Sequence, residues 1–183
     1  MIWFTADHHF GHSRICELAE RPFDSLEAHD AHLERVWNEV VAPEDTVWHL
    51  GDFSFQAKKA EVEALLARLH GTKHLIRGNH DHRQVRNAKG WASVERYEEL
   101  KTKHPVTGAD LFIVLFHHRI VDWHGEHRGS WALHGHSHST LPVVLDHRTF
   151  DVGVDCWDYR PVSLEQVAME MGRRTFVPYG GQA

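Results

Sequence analysis

Short apolar runs that stop abruptly at clusters of polar residues recur through the first half of the chain. Residues 1–6 end at Asp7-His8-His9, residues 46–50 at Gly51-Asp52, and residues 74–77 at Gly78-Asn79-His80-Asp81. Runs this short, apolar at consecutive positions, fit strands buried on both faces. Between them the period becomes helical. Residues 13–19 suggest a short helix closed by Arg21-Pro22. Over residues 25–41, Leu26, His29, Leu33, Val36 and Val40 share one face, with Asp24 as the expected N-cap and Glu27 behind it. Residues 57–69 repeat the pattern, with Val62, Leu65, Leu66 and Leu69 inward and Gly71 placed to cap the C-terminus. Such a βααβαβ rhythm predicts parallel strands with crossover helices. The three polar clusters then fall at strand carboxyl ends, where open α/β sheets bind ligands.

The second half is richer in strands. Residues 111–116, 130–133, 141–145 and 149–154 read as closely spaced strands. Pro161-Val162-Ser163 opens a last helix in which Ser163 and Gln166 have capping-box spacing, while Leu164, Val167, Ala168 and Met171 form the inner face. Residues 180–183 are expected to fray. No repeat or linker interrupts the pattern, so residues 1–183 are expected to form one α/β domain with its own core.

Composition narrows the classes. With 42% hydrophobic and 25% charged residues, the chain lies far from the signature of disorder. Twenty Lys and Arg against 26 Asp and Glu leave a net charge of −6, so no general basic field draws nucleic acid, and only a local patch could serve a nucleic-acid substrate. Two cysteines, Cys16 and Cys156, are too few for a disulfide scaffold and carry no CxxC spacing. The apolar start is too short for a signal segment, and no run approaches the ~18 apolar residues of a membrane span. A cytoplasmic protein with reduced thiols is expected. The outlier is histidine, at 19 of 183 residues.

Each strand-end cluster is weak evidence alone, since a lone Gly-Asp is usually a turn. Two more join them, His117-His118 and Gly135-His136-Ser137-His138. Together the five offer carboxylates, imidazoles and one carboxamide, a donor set suited to Mn²⁺, Fe²⁺, Zn²⁺ or Ni²⁺. Their order, D-x-H, G-D, G-N-H-[DE], H and G-H-x-H, resembles the calcineurin-like metallophosphoesterase superfamily, in particular its small single-domain bacterial and phage members. The likeness runs from Asp7 to His138, and the Val152-Gly153-Val154-Asp155 and Arg160-Pro161-Val162-Ser163 stretches look like the C-terminal region of those members.

The resemblance implies a four-layer α/β/β/α sandwich of two mixed sheets flanked by helices. It also implies two divalent ions, Mn²⁺ first among them. Asp7, His9, Asp52 and His138 would hold one, and Asp52, Asn79, His117 and His136 the other, with Asp52 bridging. At His117-His118 the family supplies one ligand; the first residue off the strand is taken, with His118 as its neighbour. Metal-bound hydroxide would attack a phosphoester, two ions being able to activate water and clamp the phosphoryl oxygens. His80 would stabilise the transferring group or protonate the leaving oxygen, and Asp81 would orient His80.

Phe10-Gly11-His12-Ser13-Arg14 resembles the F-G-H turn of the small members, which makes His12 and Arg14 candidates for gripping the substrate phosphate; the plainer reading is a helix start. His8 should point to the opposite side of its strand, and His134 should be structural. Trp123, Trp131 and Trp157 could stack on a base, but packing is the commoner role. The family's protein phosphatases carry an arginine soon after G-D, whereas Phe53-Ser54-Phe55-Gln56-Ala57 has none, which argues against a phosphoprotein. The expected partner is a small phosphoester, a nucleotide among the candidates, with diesters preferred. The alternatives are a monoesterase or nuclease of the same superfamily, or a non-catalytic scaffold, which would have no need of His80-Asp81.

Overall fold

The computed structural model describes residues 1–143, 145 and 147–175. Four parallel strands, β1 (Ile2–Thr5), β2 (Thr46–His49), β3 (Thr72–Ile76) and β4 (Trp91–Glu95), form one sheet, with β9 (Val162–Ser163) antiparallel on β1 in the order β4-β3-β2-β1-β9. A second sheet, ordered β5-β6-β7-β8, contains β5 (Tyr97–Lys103), β6 (Asp110–Phe116), β7 (Trp131–His134) and β8 (Thr149–Asp151). Here β5 is antiparallel to β6 and the remaining pairs are parallel. Both sheets are therefore mixed, and they stack as the inner layers of an α/β/β/α sandwich.

Strand alternation explains the continuous apolar runs. Phe4, Trp48 and Ile76 face the second sheet and meet Ile113, Leu115, Leu133 and Phe150 in a shared core. Their neighbours Trp3, Val47 and Leu75 face outward onto the helices α2 (Leu26–Val40) and α3 (Lys59–Arg68), through Leu33, Trp37, Val62, Leu65 and Leu66. The outer face of the second sheet, Val114 and Ala132, is covered by Trp123 and Ile120 from the segment around a 3-10 turn at Glu126–Arg128. Leu164, Val167, Ala168 and Met171 of α5 (Leu164–Gly172) close the shared core beside β1, β8 and β9. Two single-turn helices, α1 (Ile15–Leu18) and α4 (Arg83–Arg86), follow β1 and β3.

Several local expectations shift. Ser25, in extended conformation, is the N-cap of α2 in place of Asp24, because its side chain accepts the Ala28 amide at 3.1 Å. Leu69 is the C-cap of α3, and Gly71 instead takes φ +85° in the turn into β3. Among the described residues of 141–145 no strand forms: Leu141, Val143 and Leu145 are exposed, and residue 144 lies outside the described residues, as do residues 180–183. Strands β4 and β5 carry no strong apolar signature, because each is a sheet edge whose residues stay half-exposed or exposed. Among the described residues no helix is long and apolar enough to cross a membrane.

Candidate metal centre

Because β1, β2 and β3 run parallel, and β6, β7 and β8 likewise, each sheet delivers its carboxyl ends to one edge, and the two edges meet. Cross-sheet hydrogen bonds fix the seam. The His136 amide donates to Asp7 Oδ2 at 2.8 Å, the Val154 amide to the Ala6 carbonyl at 3.1 Å, and His117 Nδ1 to the Leu50 carbonyl at 2.7 Å. Ligand-type atoms of Asp7, His9 and His138 lie within 4.8 Å of one another, as do those of Asp7, Asp52 and His117, and of His117, His118 and His136. Asp52 sits centrally: its Oδ2 is 3.7 Å from His9 Nε2 and 3.5 Å from His117 Nε2, while its Oδ1 accepts the His80 amide at 2.8 Å. Asn79 Oδ1 is 2.9 Å from His117 Nε2. The seven residues expected as ligands thus converge around one point of the seam.

The backbone is strained to achieve this. Asp7, His9, Asp52, His136 and His138 all have left-handed φ, between 45° and 71°, a conformation that costs a non-glycine residue about 1 kcal/mol or more and clusters at functional sites. Motif glycines make room for them. A Cβ on Gly78 would stand 2.1 Å from Asp52 Oδ1, and one on Gly135 would stand 2.5 Å from Asp7 Oδ2.

The residues fit divalent cations. Asp7 Oδ1 and both ring nitrogens of His9 are buried without any hydrogen-bond partner, an expensive arrangement unless something positive meets them. Burial pushes the Asp7 carboxyl up to about 7 and His9 down to about 2. At His117 burial opposes the charged ring, yet the Asp52 hydrogen bond and the charges of Asp7 and Asp52 prevail and push it up to about 9. Burial likewise opposes the Asp52 carboxylate, and the His117 contact holds it well below its usual range. His117 Nε2 lies 3.5 Å from Asp52 Oδ2 and 2.9 Å from Asn79 Oδ1. Since the Leu50 carbonyl can only accept, Nδ1 keeps its proton and Nε2 faces the cluster.

Other expected residues distribute unevenly. His80 and His12 line a cavity of about 480 Å³ with His9, His136 and His138. His12 stacks on Phe55 with 3.9 Å between centroids, and the His80 ring lies 5.0 Å from Phe55. Arg14 does not line this cavity; its side chain is 65% exposed and approaches Glu17 at 3.6 Å, because the single turn of α1 points it outward. Asp81 does not pair with His80. Its carboxylate accepts three backbone amides, those of Asp52 (2.9 Å), Phe53 (2.9 Å) and Gly78 (2.8 Å), and so ties the loops after β2 and β3 together. His8 turns away, with Nδ1 2.9 Å from His49 Nε2. His118 is exposed, its ring 4.3 Å from that of His136.

Sequence reasoning missed two supporting residues. Asp155 Oδ2 accepts His138 Nδ1 at 2.7 Å, and Arg21 forks Asp155 with two bonds of 2.8 Å while donating to the Asp7 and His8 carbonyls at 2.7 and 3.0 Å. Burial opposes the Asp155 carboxylate, but His138 and Arg21 bring it down to about 2. Asp155 stood in the Val152-Gly153-Val154-Asp155 stretch; Arg21 read only as a helix end before Pro22.

Fold and site together define a two-sheet α/β protein whose strand ends gather a histidine and aspartate cluster able to hold divalent cations. More particularly, the chain belongs to the family of the mycobacteriophage gene 66 proteins. It is 34% identical to the Gene 66 protein of Mycobacterium phage L5, with 90% of this chain and 91% of that one covered, and 33% identical to its counterpart in phage D29, with 85% and 88% covered. The uncharacterized protein MJ1445 of Methanocaldococcus jannaschii is 28% identical over 91% of this chain and 88% of its own. No known family model matches the sequence. Among solved structures, the protein of unknown function AQ665 from Aquifex aeolicus shares the fold, with a TM-score of 0.67 and 22% identity over 92% of this chain and 98% of that one.

Proposed function

We propose that the protein is a metal-dependent phosphoesterase of the calcineurin-like kind, with phosphodiesters preferred. The observation that carries this reading is the convergence of Asp7, His9, Asp52, Asn79, His117, His136 and His138 on one seam, with Asp7 Oδ1 and the His9 nitrogens buried and unpartnered. Asp7, His9, Asp52 and His138 would hold one ion and Asp52, Asn79, His117 and His136 the other. When bound, a pair of divalent ions polarises phosphoryl oxygens and activates water. Asp155 keeps His138 oriented through Nδ1, and Asp81 fixes the loop that carries Asn79 and His80. His80, beside the cluster in the cavity, holds a proton for the leaving oxygen. The ester would occupy the cavity lined by His12 and His80. The two free cysteines, Cys16 and Cys156, agree with a cytoplasmic workplace.

The test is hydrolysis of bis-p-nitrophenyl phosphate and p-nitrophenyl phosphate after chelation and reloading with Mn²⁺, Ni²⁺ or Zn²⁺. The diester should turn over faster, and His80→Ala, with metal content intact, should lower kcat by roughly 10²–10⁴ on an ester with an alkyl leaving group and by less on the p-nitrophenyl esters. Reloaded protein that hydrolyses neither compound overturns the reading.

A further inference from the structure

A second cavity, of about 270 Å³, borders the cluster at Asn79 and is lined by Arg77, Arg86 and Arg96 together with His118 and Phe116. Three guanidinium groups share this one concavity, and among the described residues none of them meets a carboxylate or a hydrogen-bond acceptor. Arg35, Arg68 and Arg160 show the usual alternative, since each pairs with Glu34 or Glu39. The unpaired state is also not a matter of exposure, because the Nε atoms of Arg77 and Arg86 are buried and unsatisfied. Like charges so gathered repel one another, and a bound anion offsets that repulsion. Planar forked donors suit the oxygens of a phosphate.

We infer that Arg77, Arg86 and Arg96 form a subsite for a second phosphate of the substrate. The inference rests on the proposed phosphoesterase reading and narrows it: the ester that fits is a nucleotide-like compound carrying one phosphate at the metal cluster and another at the arginines. Position supports this. Asn79 borders both places, its Oδ1 2.9 Å from His117 Nε2, and His118 borders the arginine cavity while its ring lies 4.3 Å from that of His136. The subsite supplies a local positive patch in a chain of net charge −6.

The probes are thymidine 5′-(p-nitrophenyl phosphate) with and without a 3′-phosphate, assayed with the Mn²⁺-loaded protein. The ratio of kcat/KM should favour the 3′-phosphorylated ester by about tenfold or more, the usual worth of a charged hydrogen bond. The ratio should fall toward one in the Arg86→Ala/Arg96→Ala double variant and recover in part with lysine at both positions. A third probe, with the 3′-phosphate esterified to a second nucleoside, separates an internucleotide diester from a terminal phosphate as the source. A wild-type ratio near one, or a preference that survives in the double variant, overturns the inference. Calorimetric titration of metal-free protein with inorganic pyrophosphate tests the subsite without catalysis: wild type should bind at least tenfold more tightly than the double variant. Equal binding refutes the subsite, whereas unequal binding with no hydrolysis of any ester refutes the phosphoesterase reading alone.

Discussion

Gly78 shows how a residue with no side chain constrains the site. With Asp52 Oδ1 2.1 Å from where its Cβ would stand, Gly78→Ala must displace either the carboxylate or the loop after β3. It should cost about 1–3 kcal/mol, as overpacking does, and weaken metal binding. Gly172→Ala, at the end of α5 with nothing within 4 Å of the new Cβ, should be neutral or slightly stabilising. Urea denaturation of the two variants checks the contrast. Asp155 acts through charge. Its carboxyl, about 2 in the fold against the ordinary 3.8, stabilises the folded state fully above pH 4, and the contribution fades as pH falls through 2. Asp155→Asn should therefore lose roughly 2 kcal/mol at pH 7, and about half of that gap should be gone at pH 3. A gap that stays constant between pH 7 and pH 3 would place the effect elsewhere. The residues that converge at the seam were legible in the sequence because each stands at the end of an apolar run. Arg21 was not, because its partners lie up to 134 positions away.

Elements with both faces covered were equally legible. Residues 1–6 and 111–116 are apolar at consecutive positions because β1 and β6 are packed on both sides, and α5 announced itself through its capping box. Ser163 holds that box: its side chain accepts the Gln166 amide at 3.2 Å, and Gln166 Oε1 accepts the Ser163 amide at 2.8 Å. Ser163→Ala should cost about 1 kcal/mol, or roughly 2–4 °C in Tm for a chain of this size, read by calorimetry. The edge strands β4 and β5 stayed hidden because backbone pairing, not burial, holds them. The strand expected at residues 141–145 is not seen among the described residues for the complementary reason: Leu141, Val143 and Leu145 are exposed, with no sheet edge covering them.

The whole molecule pairs two strand edges to hold more charge and imidazole than either sheet could alone. Removal of ions by chelation should accordingly be felt by the entire fold. At metal concentrations near 100 times Kd, mass action stabilises by about 2.7 kcal/mol for each ion held, so each Mn²⁺ should raise Tm by roughly 5–10 °C. Elemental analysis should find two ions per chain, and Asp52→Ala should lose both along with the thermal shift, since Asp52 contacts His9 on one side and His117 on the other. One ion in reloaded wild-type protein would refute the bridging role.

By itself the sequence determined which segments become buried strands and amphipathic helices, and which polar residues stand at strand ends. Those are local properties, written in the period of apolar positions and in residues adjacent to them. Only the tertiary structure decided that Asp81 grips three backbone amides, that Arg14 faces solvent and that Arg21 and Asp155 brace His138. The gathering of Arg77, Arg86 and Arg96 beside Asn79 belongs with them. Each of these depends on which loops the two sheets bring together, and contacts between distant segments leave no periodic trace along the chain.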